Sequence, residues 1–324
     1  MNDKMVHCCA ECGEEGGVSL KACKSCMVAK YCNVNCQKNH WPKHKNDCKL
    51  RAAEIRDEAL FKDPPAKEEC PICFVPMPVN IISCASLPAA TIKSVPIFDY
   101  ARANEELANL SAETYHSCCG KYICSGCVYS LCKSVNSEKC PFCKAEIMKK
   151  SDNERLQEMM KRVEANDAGA IHELGCYYYN GEIGLLQDRA KAMQLWTQAV
   201  KLGSSKAHYN LGNVFYEGGD IKKAKFHFGA AAVAGHEEAR SKLGGIEGSS
   251  GNVERAIKHW KIAASAGSFR AMDAMRTDFV VGRVSRESID STLAAYNTSC
   301  AEMRSEARDA YMHADIGSSI NEKV

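Results

Sequence analysis

Cysteine is the residue whose number and spacing in this sequence could do chemistry. The chain has 20 cysteines in 324 residues, and all but Cys176 and Cys300 lie before residue 144. Most of the first 18 fall in C-x2-C or C-x3-C pairs, and such a pair can supply two thiolates to one tetrahedral zinc ion. No apolar export signal follows Met1, so we expect a reducing compartment, cytoplasmic or nuclear, in which these thiols bind metal rather than form disulfides.

The first ligand group lies within residues 1–62. Its pattern is Cys9-x2-Cys12, Cys23-x2-Cys26, Cys32-x3-Cys36 and His44-x3-Cys48, with Trp41 ahead of His44. This spacing of cysteines and histidine resembles the MYND zinc finger along that finger's full length. The resemblance implies two interleaved zinc ions and a surface that binds short proline-containing peptides, with Gln37 and Trp41 at the matching positions. The implied ligands are Cys9, Cys12, Cys32 and Cys36 for one ion and Cys23, Cys26, His44 and Cys48 for the other.

Helical elements must position the later ligands of this group, because residues four apart share one face of a helix. The sequence predicts a helix over 33–46, bent at Pro42, then a short helix over 52–62 and a linker over 63–69. We expect Trp41 to pack in the core of so small a module. We expect His40 to be exposed, and Cys8 is a less favoured alternative to Cys9.

The second ligand group occupies residues 70–149 and resembles a RING finger. The resemblance assigns one zinc to Cys70, Cys73, Cys124 and Cys127, and the second zinc to Cys140 and Cys143 with two central ligands. Lys121 stands where that family usually has a histidine, and a protonated lysine cannot bind zinc. Cys119 is then the fourth ligand. The third is open among Cys118, which we favour, His116, which is next, and Cys84.

The RING resemblance implies that this module would bind a ubiquitin-conjugating enzyme and hold its thioester-linked ubiquitin in a reactive pose, which is catalysis by positioning. A module that only scaffolds is the alternative. Between ligands, residues 74–117 form a long insertion with one predicted helix over 99–110. We expect Cys132 to pack as a small hydrophobe. The residues matching the family's docking surface are Ile72, Leu131, Pro141 and Lys144.

A 32-residue repeat runs through residues 150–316, ahead of a tail at 317–324. Stacked helical pairs explain the repeated residue types: acidic or amide caps, glycines that end helices, small alanines between helices and one aromatic filling the gap between repeats. The repeat resembles Sel1-like repeats, relatives of the tetratricopeptide repeat. Its steps are Asp188, Asp220 and Asn252; Ala192, Ala224 and Ala256; Trp196, Phe228 and Trp260; and Gly203, Gly235 and Gly267.

Two positions in the repeats stand out. Glu247 replaces an aromatic of the earlier units, so we expect the third unit to pack less well. His172 and Cys176 are expected to lie in the core or on a solvated helix face.

The predicted fold is therefore α+β small zinc-stabilised modules followed by an all-α helical-repeat solenoid. A net charge of +2 argues against nucleic-acid partners. No apolar run is long enough to predict a membrane span.

Four complete ligand sets predict about four zinc ions and argue against a zinc hydrolase, which needs an open position. We find no triad, phosphate loop or methyltransferase signature. The two functions left are a RING-type ubiquitin ligase and a non-catalytic adaptor that binds proteins.

Overall fold

The computed structural model describes residues 9–12, 19–78, 113–134, 138–147 and 150–311. The chain divides into two compact units, Met1–Lys62 and Asp63–Val324. Cys8, Cys84, the helix expected over 99–110 and the tail at 317–324 all lie outside the described residues. Among the helices of these described ranges, none combines the length and apolarity needed to cross a membrane.

The first unit is a short antiparallel hairpin, β1 (Lys21–Ala22) and β2 (Lys30–Tyr31), followed by one long helix, α1 (Val34–Phe61). Asn33 caps the helix by accepting a hydrogen bond from the Cys36 amide at 2.9 Å. The expected division into helices over 33–46 and 52–62 is wrong, since α1 continues through both segments as one helix with Pro42 inside it. Cysteine and histidine ligands lie on both sides of the proline, so ligation can hold both parts in one helix.

The central zinc module of the second unit, residues 70–147, is built on a hairpin and a short helix. Strands β3 (Glu113–His116) and β4 (Lys121–Cys124) pair antiparallel, and α2 (Ser125–Lys133) follows β4 directly. Two tight turns, Cys70–Cys73 and Cys140–Cys143, share one hydrogen-bond pattern. In each turn the first cysteine's amide donates to the carbonyl five residues later, and its carbonyl accepts from the amide four residues later.

Helices form the rest of the second unit: nine lie within residues 152–302, and a further helical stretch covers residues 306–311. Gly203, Gly235 and Gly267 all have φ near +90°, which confirms the left-handed ends predicted for these repeats. The helices are α3 (Asp152–Glu164), α4 (Ala168–Asn180), α5 (Arg189–Lys201), α6 (Ser205–Glu217), α7 (Ile221–Val233), α8 (Glu237–Ser249), α9 (Val253–Ser265), α10 (Phe269–Val280) and α11 (Arg286–Glu302).

Each large aromatic of the repeats packs against a glycine of its own helical pair, and Trp196 and Trp260 also belong to core clusters that include residues of the next unit. Trp196 lies over Gly175, Phe228 over Gly212 and Trp260 over Gly244. In each pair the ring occupies the space that a Cβ on the glycine would need. A glycine on the first helix therefore admits the aromatic of the second helix.

The third unit departs from the predicted pattern at two residues. Asn252 makes no side-chain cap to α9, because its amide nitrogen donates instead to Glu247 at 2.7 Å. Glu247 is 3% exposed and pairs with Lys225 at 2.6 Å and with Arg255 at 3.8 Å. The expected looser packing is replaced by a buried carboxylate that two cations and one amide compensate.

The central zinc module packs against both ends of the helical array. At the first repeat, Tyr115 donates to Asp167 at 2.9 Å, and Arg162 donates to the carbonyls of Ser117 and Cys118. At the other end, Arg308 donates to the Pro76 carbonyl at 2.8 Å. These contacts place module and repeats in one folded unit.

Candidate metal centres

The structure brings sixteen side chains together as four ligand sets, each within 4.8 Å of one another. Loops and helix starts supply them: the first cysteine of each set lies in a turn, and α1, β4 and α2 supply later ligands. The sets are Cys9, Cys12, Cys32 and Cys36; Cys23, Cys26, His44 and Cys48; Cys70, Cys73, Cys124 and Cys127; and Cys118, Cys119, Cys140 and Cys143.

Distances inside these sets fit zinc. With Zn–S bonds of about 2.3 Å, the edge of a tetrahedron of sulfurs is roughly 3.8 Å. The Sγ–Sγ distances are 3.6 Å for Cys12–Cys32, 3.6 Å for Cys23–Cys48, 3.9 Å for Cys73–Cys124 and 3.7 Å for Cys119–Cys140. Each set has four soft donors at the separation one ion requires, so the chain is suited to about four zinc ions.

One thiol in each set has a lowered pKa, and thiolate is the form that binds zinc. Backbone amides of Cys12 and Cys32 lower the pKa of Cys9 to about 6. Burial raises the pKa of Cys140, but amides of Cys143 and Phe142 help to lower it to about 7.

The other two sets show the same direction. Burial raises the pKa of Cys23, but amides of Cys26 and Ser25 help to lower it to about 6. Hydrogen bonds with the side chains of Cys124 and Cys127 are the largest causes that lower the pKa of Cys70.

The set that the sequence left open is made by two adjacent cysteines. Cys118 and Cys119, at the turn between β3 and β4, both reach Cys140 and Cys143. His116 is not part of this set, and its Nε2 is buried with no hydrogen-bond partner among the described residues. Lys121 points its ammonium over the ring of Phe142, 4.3 Å from the centroid.

The exposure predicted for three side chains near these centres is wrong. Trp41 is 41% exposed instead of packed in a core, and its ring lies edge-on to that of His44 with 6.3 Å between the ring centroids. His40 is half-buried, because it hydrogen-bonds the Tyr31 hydroxyl at 3.0 Å and stacks on His44. Cys132 is exposed on α2 instead of packed.

The residues assigned to docking lie at the surface of the central zinc module. Ile72, Leu131 and Pro141 are half-buried, and Lys144 is exposed. Lys144 has φ of 61° and its ammonium donates to the Pro141 carbonyl at 3.0 Å. Gln37, the other residue assigned to peptide binding, is half-buried on α1.

Sequence reasoning missed two features. Arg308 approaches the first central set, with its guanidinium 3.8 Å from Cys73 Sγ. No local spacing could have indicated this contact, which joins residues 235 positions apart in the chain. His172 is buried and Cys176 packs against the core of the repeats, as expected, but the sequence did not indicate that both join Glu173 in a polar cluster whose three donors are within 4.8 Å of one another.

Comparison with known families supports the outer two parts of the chain. The MYND finger family model matches residues 9–48. The Sel1 repeat model matches residues 168–204, 205–236 and 239–268. The chain thus carries a zinc-binding MYND finger and a helical Sel1-repeat solenoid, and both are generally protein-interaction modules.

Similar curated proteins match short stretches. A 34-residue stretch is 53% identical to human (Homo sapiens) histone-lysine N-methyltransferase SMYD3, covering 10% of this chain and 8% of that protein. Tudor domain-containing protein 1 of Oryzias latipes is 34% identical over 18% of this chain and 5% of its own length. SET domain and MYND-type zinc finger protein 6 of Schizosaccharomyces pombe is 40% identical over 17% and 11%. The chain therefore spans about a tenth or less of these relatives.

Solved structures with some likeness include a Sel1 repeat protein from Oxalobacter formigenes, with 24% identity, a TM-score of 0.39, and coverage of 45% of this chain and 64% of that one. Another is c5321, a protective antigen of uropathogenic Escherichia coli with an SLR fold. It has 18% identity, a TM-score of 0.40, and coverage of 50% and 44%.

Proposed function

We propose that the central zinc module, residues 70–147, is a RING-type finger and that the chain is a ubiquitin ligase. In this proposal the MYND finger and the Sel1 repeats bind partners, and the central module recruits a ubiquitin-conjugating enzyme. The observation that carries it is the pairing of two four-cysteine sets on one β3–β4 hairpin, whose turn supplies Cys118 and Cys119 to one set and whose last residue, Cys124, belongs to the other. Such a module does no bond chemistry itself and accelerates transfer by positioning.

Docking is assigned to Ile72, Leu131 and Pro141, with Lys144 beside them. Ile72 and Pro141 lie in the two turns that share one hydrogen-bond pattern, and zinc would fix both backbones. Half-buried apolar side chains on rigid turns lose little conformational freedom on binding, which favours a small interface. Lys144 supplies a charge but lacks the forked donors of arginine, so we expect modest activity.

The decisive experiment is ubiquitin-chain formation by the full-length chain with a panel of conjugating enzymes. Replacing Ile72 or Leu131 by alanine removes contact area worth roughly 1–2 kcal/mol, which is about tenfold in affinity. We therefore expect Ile72→Ala and Leu131→Ala to lose most chain formation. The matched control is Cys132→Ala, the exposed neighbour of Leu131, which should keep wild-type activity.

Zinc content separates loss of docking from loss of fold, since each variant should hold as much zinc as the wild type. Lys144→Arg should raise activity or leave it unchanged. If the zinc-loaded wild type forms no chains with any conjugating enzyme, the ligase proposal fails and a non-catalytic adaptor remains.

The exposed indole of Trp41, beside Gln37 on α1, suits a proline-containing peptide, because proline stacks well on aromatic faces. We assign the first unit this partner class. The eighteen described cysteines are all unbridged thiols, which supports a cytoplasmic or nuclear location.

A further inference from the structure

The polar cluster at the start of the repeats has the arrangement of a metal site. His172 and Cys176 lie four residues apart on α4, so both project from one face of the helix. Cys176 Sγ is 3.6 Å from His172 Nε2. One zinc ion bound at about 2.3 Å by sulfur and about 2.05 Å by nitrogen separates those two atoms by roughly 3.6 Å. The same S–N distance is 3.3 Å in the MYND finger, between Cys26 and His44.

A third donor comes from the next repeat. The side-chain nitrogen of Asn210, on α6, lies 3.0 Å from His172 Nε2 and 3.4 Å from Cys176 Sγ. Turning the amide by half a rotation exchanges its nitrogen and oxygen at nearly the same positions. The amide oxygen then completes a triangle of sulfur, nitrogen and oxygen around one point.

Glu173 holds the imidazole of His172 in the orientation that a metal needs. Its Oε1 lies 3.1 Å from His172 Nδ1, so the carboxylate occupies the Nδ1 side and Nε2, the nitrogen that faces Cys176 and Asn210, is the one that a metal ion would bind. The carboxylate is itself held by the Tyr122 hydroxyl at 3.0 Å. A carboxylate on the far nitrogen is the usual partner of a metal-binding histidine.

We propose that His172, Cys176 and Asn210 form a fifth zinc site, distinct from the four cysteine-rich sets. Nitrogen, thiolate and amide oxygen are a donor set that zinc accepts, and three protein ligands leave the fourth position open. Cys176 and Asn210 are half-buried, so an ion can enter and a water or a partner's side chain can complete its shell. With one thiolate instead of three or four, this site should exchange zinc more readily than the others.

The site lies where the first repeat meets the central zinc module. Glu173 on α4 contacts Tyr122 on β4, and Tyr122 is two residues from Cys124. Loading the fifth site would therefore tighten the contact between repeat and module through Glu173.

The test counts zinc on the full-length chain by native mass spectrometry as buffered free Zn²⁺ is raised. We expect four tightly held ions and a fifth that binds at higher free zinc. His172→Ala and Cys176→Ser should weaken the fifth ion at least 100-fold and leave four. Cys300→Ser, a half-buried thiol elsewhere in the repeats, is the matched control and should still take the fifth ion.

Alkylation of Cys176, followed at the level of its peptide, gives a second measurement that does not depend on the variants folding. Zinc at the fifth site should protect Cys176 at least tenfold from iodoacetamide, while exposed Cys132 reacts at an unchanged rate. An unprotected Cys176, or a fifth ion that persists in Cys176→Ser and so is an adventitious surface ion, overturns the proposal.

Discussion

Gly244 and Gly245 are neighbours in α8 with opposite requirements. A Cβ on Gly244 would lie 2.5 Å from Cδ1 of Trp260, whereas a Cβ on Gly245 meets nothing within 4 Å. Gly244→Ala should therefore destabilise the repeats by about 1–3 kcal/mol, since Trp260 must move. Gly245→Ala should stabilise them by about 0.5–1 kcal/mol, because alanine leaves the unfolded chain less backbone freedom to lose on folding than glycine does. Chemical denaturation followed by tryptophan fluorescence measures both.

Equal effects of the two substitutions would show that helix propensity alone governs these positions. Gly229→Ala on α7, also in open space, provides a further control for the stabilising case.

At the residue level the ligand sets were predictable and the surfaces were not. Zinc coordination requires ligand pairs at fixed spacing along the chain, so the cysteine pairs can be recognised from the sequence. Cys118 was favoured over His116 although adjacent cysteines chelate one ion awkwardly, and the structure places Cys118 with Cys119, Cys140 and Cys143. Exposure depends on which distant elements cover a side chain. Trp41 and Cys132 were assigned to packed positions from their local sequence, and both are exposed because no distant element covers them among the described residues.

The caps that begin the first helix of successive repeat units include one histidine between two serines. Ser204, His236 and Ser268 are 32 residues apart, and each side chain accepts a hydrogen bond from the amide three residues later. His236 accepts through Nδ1 and stacks on Tyr209 with 4.4 Å between the ring centroids. Burial and the nearby cations Lys206 and His172 lower the pKa of His236 to about 4.

This cap should make the repeats sensitive to acid. Because the unfolded chain has a histidine pKa of about 6.5, it binds the proton before the folded chain does as pH falls. The stabilisation is complete above pH 6.5 and is lost as pH approaches 4. Between pH 7 and pH 5 the loss should be about 2 kcal/mol.

His236→Ser keeps a cap of the kind its two neighbours use and removes the titrating group. The free energy of unfolding of wild type and variant, measured at pH 7 and pH 5, should differ in acid sensitivity by about 2 kcal/mol. Protonation of zinc ligands is common to both proteins and cancels in the comparison. The same acid loss in His236→Ser would show that the cap does not titrate in this range.

The ends of the helices agree with the sequence-based predictions where local interactions determine them. The left-handed glycines and the caps at Asp188 and Asp220 are local features, and the structure has them. Helix α1 and the cap of α9 differed because a non-local partner intervened: zinc ligands on both sides of Pro42, and Glu247 competing for Asn252. The contact of Arg308 with the central module could not be predicted, since no periodicity links the chain's end to a turn at residue 76.

At the scale of the whole molecule, sequence composition suggested a metal-dependent half and a metal-independent half. The contacts join them within the second unit: Arg162 and Tyr115 tie α3 and the start of α4 to the β3–β4 hairpin. The first unit, Met1–Lys62, is compact by itself. Arg308 ties the far end of the array to the same module. Loss of zinc from the central module should therefore weaken both ends of the array most and its middle helices least.

Zinc removal tests this gradient. Structural zinc supplies much of the folding free energy of small modules, so a strong chelator should unfold residues 9–61 and 113–147. Hydrogen exchange should then rise in α3 and α4, which lose the hairpin that Tyr115 and Arg162 contact. Helices α7 and α8, in the middle of the array, are held by their own alanine, phenylalanine and leucine packing and should keep their protection. Uniform protection from α3 to α10 after chelation would mean that the module's contacts add nothing to the repeats. Uniform loss of protection would mean that the solenoid does not stay folded without zinc. Either result contradicts a coupling that is strongest beside the central module and weakens away from it.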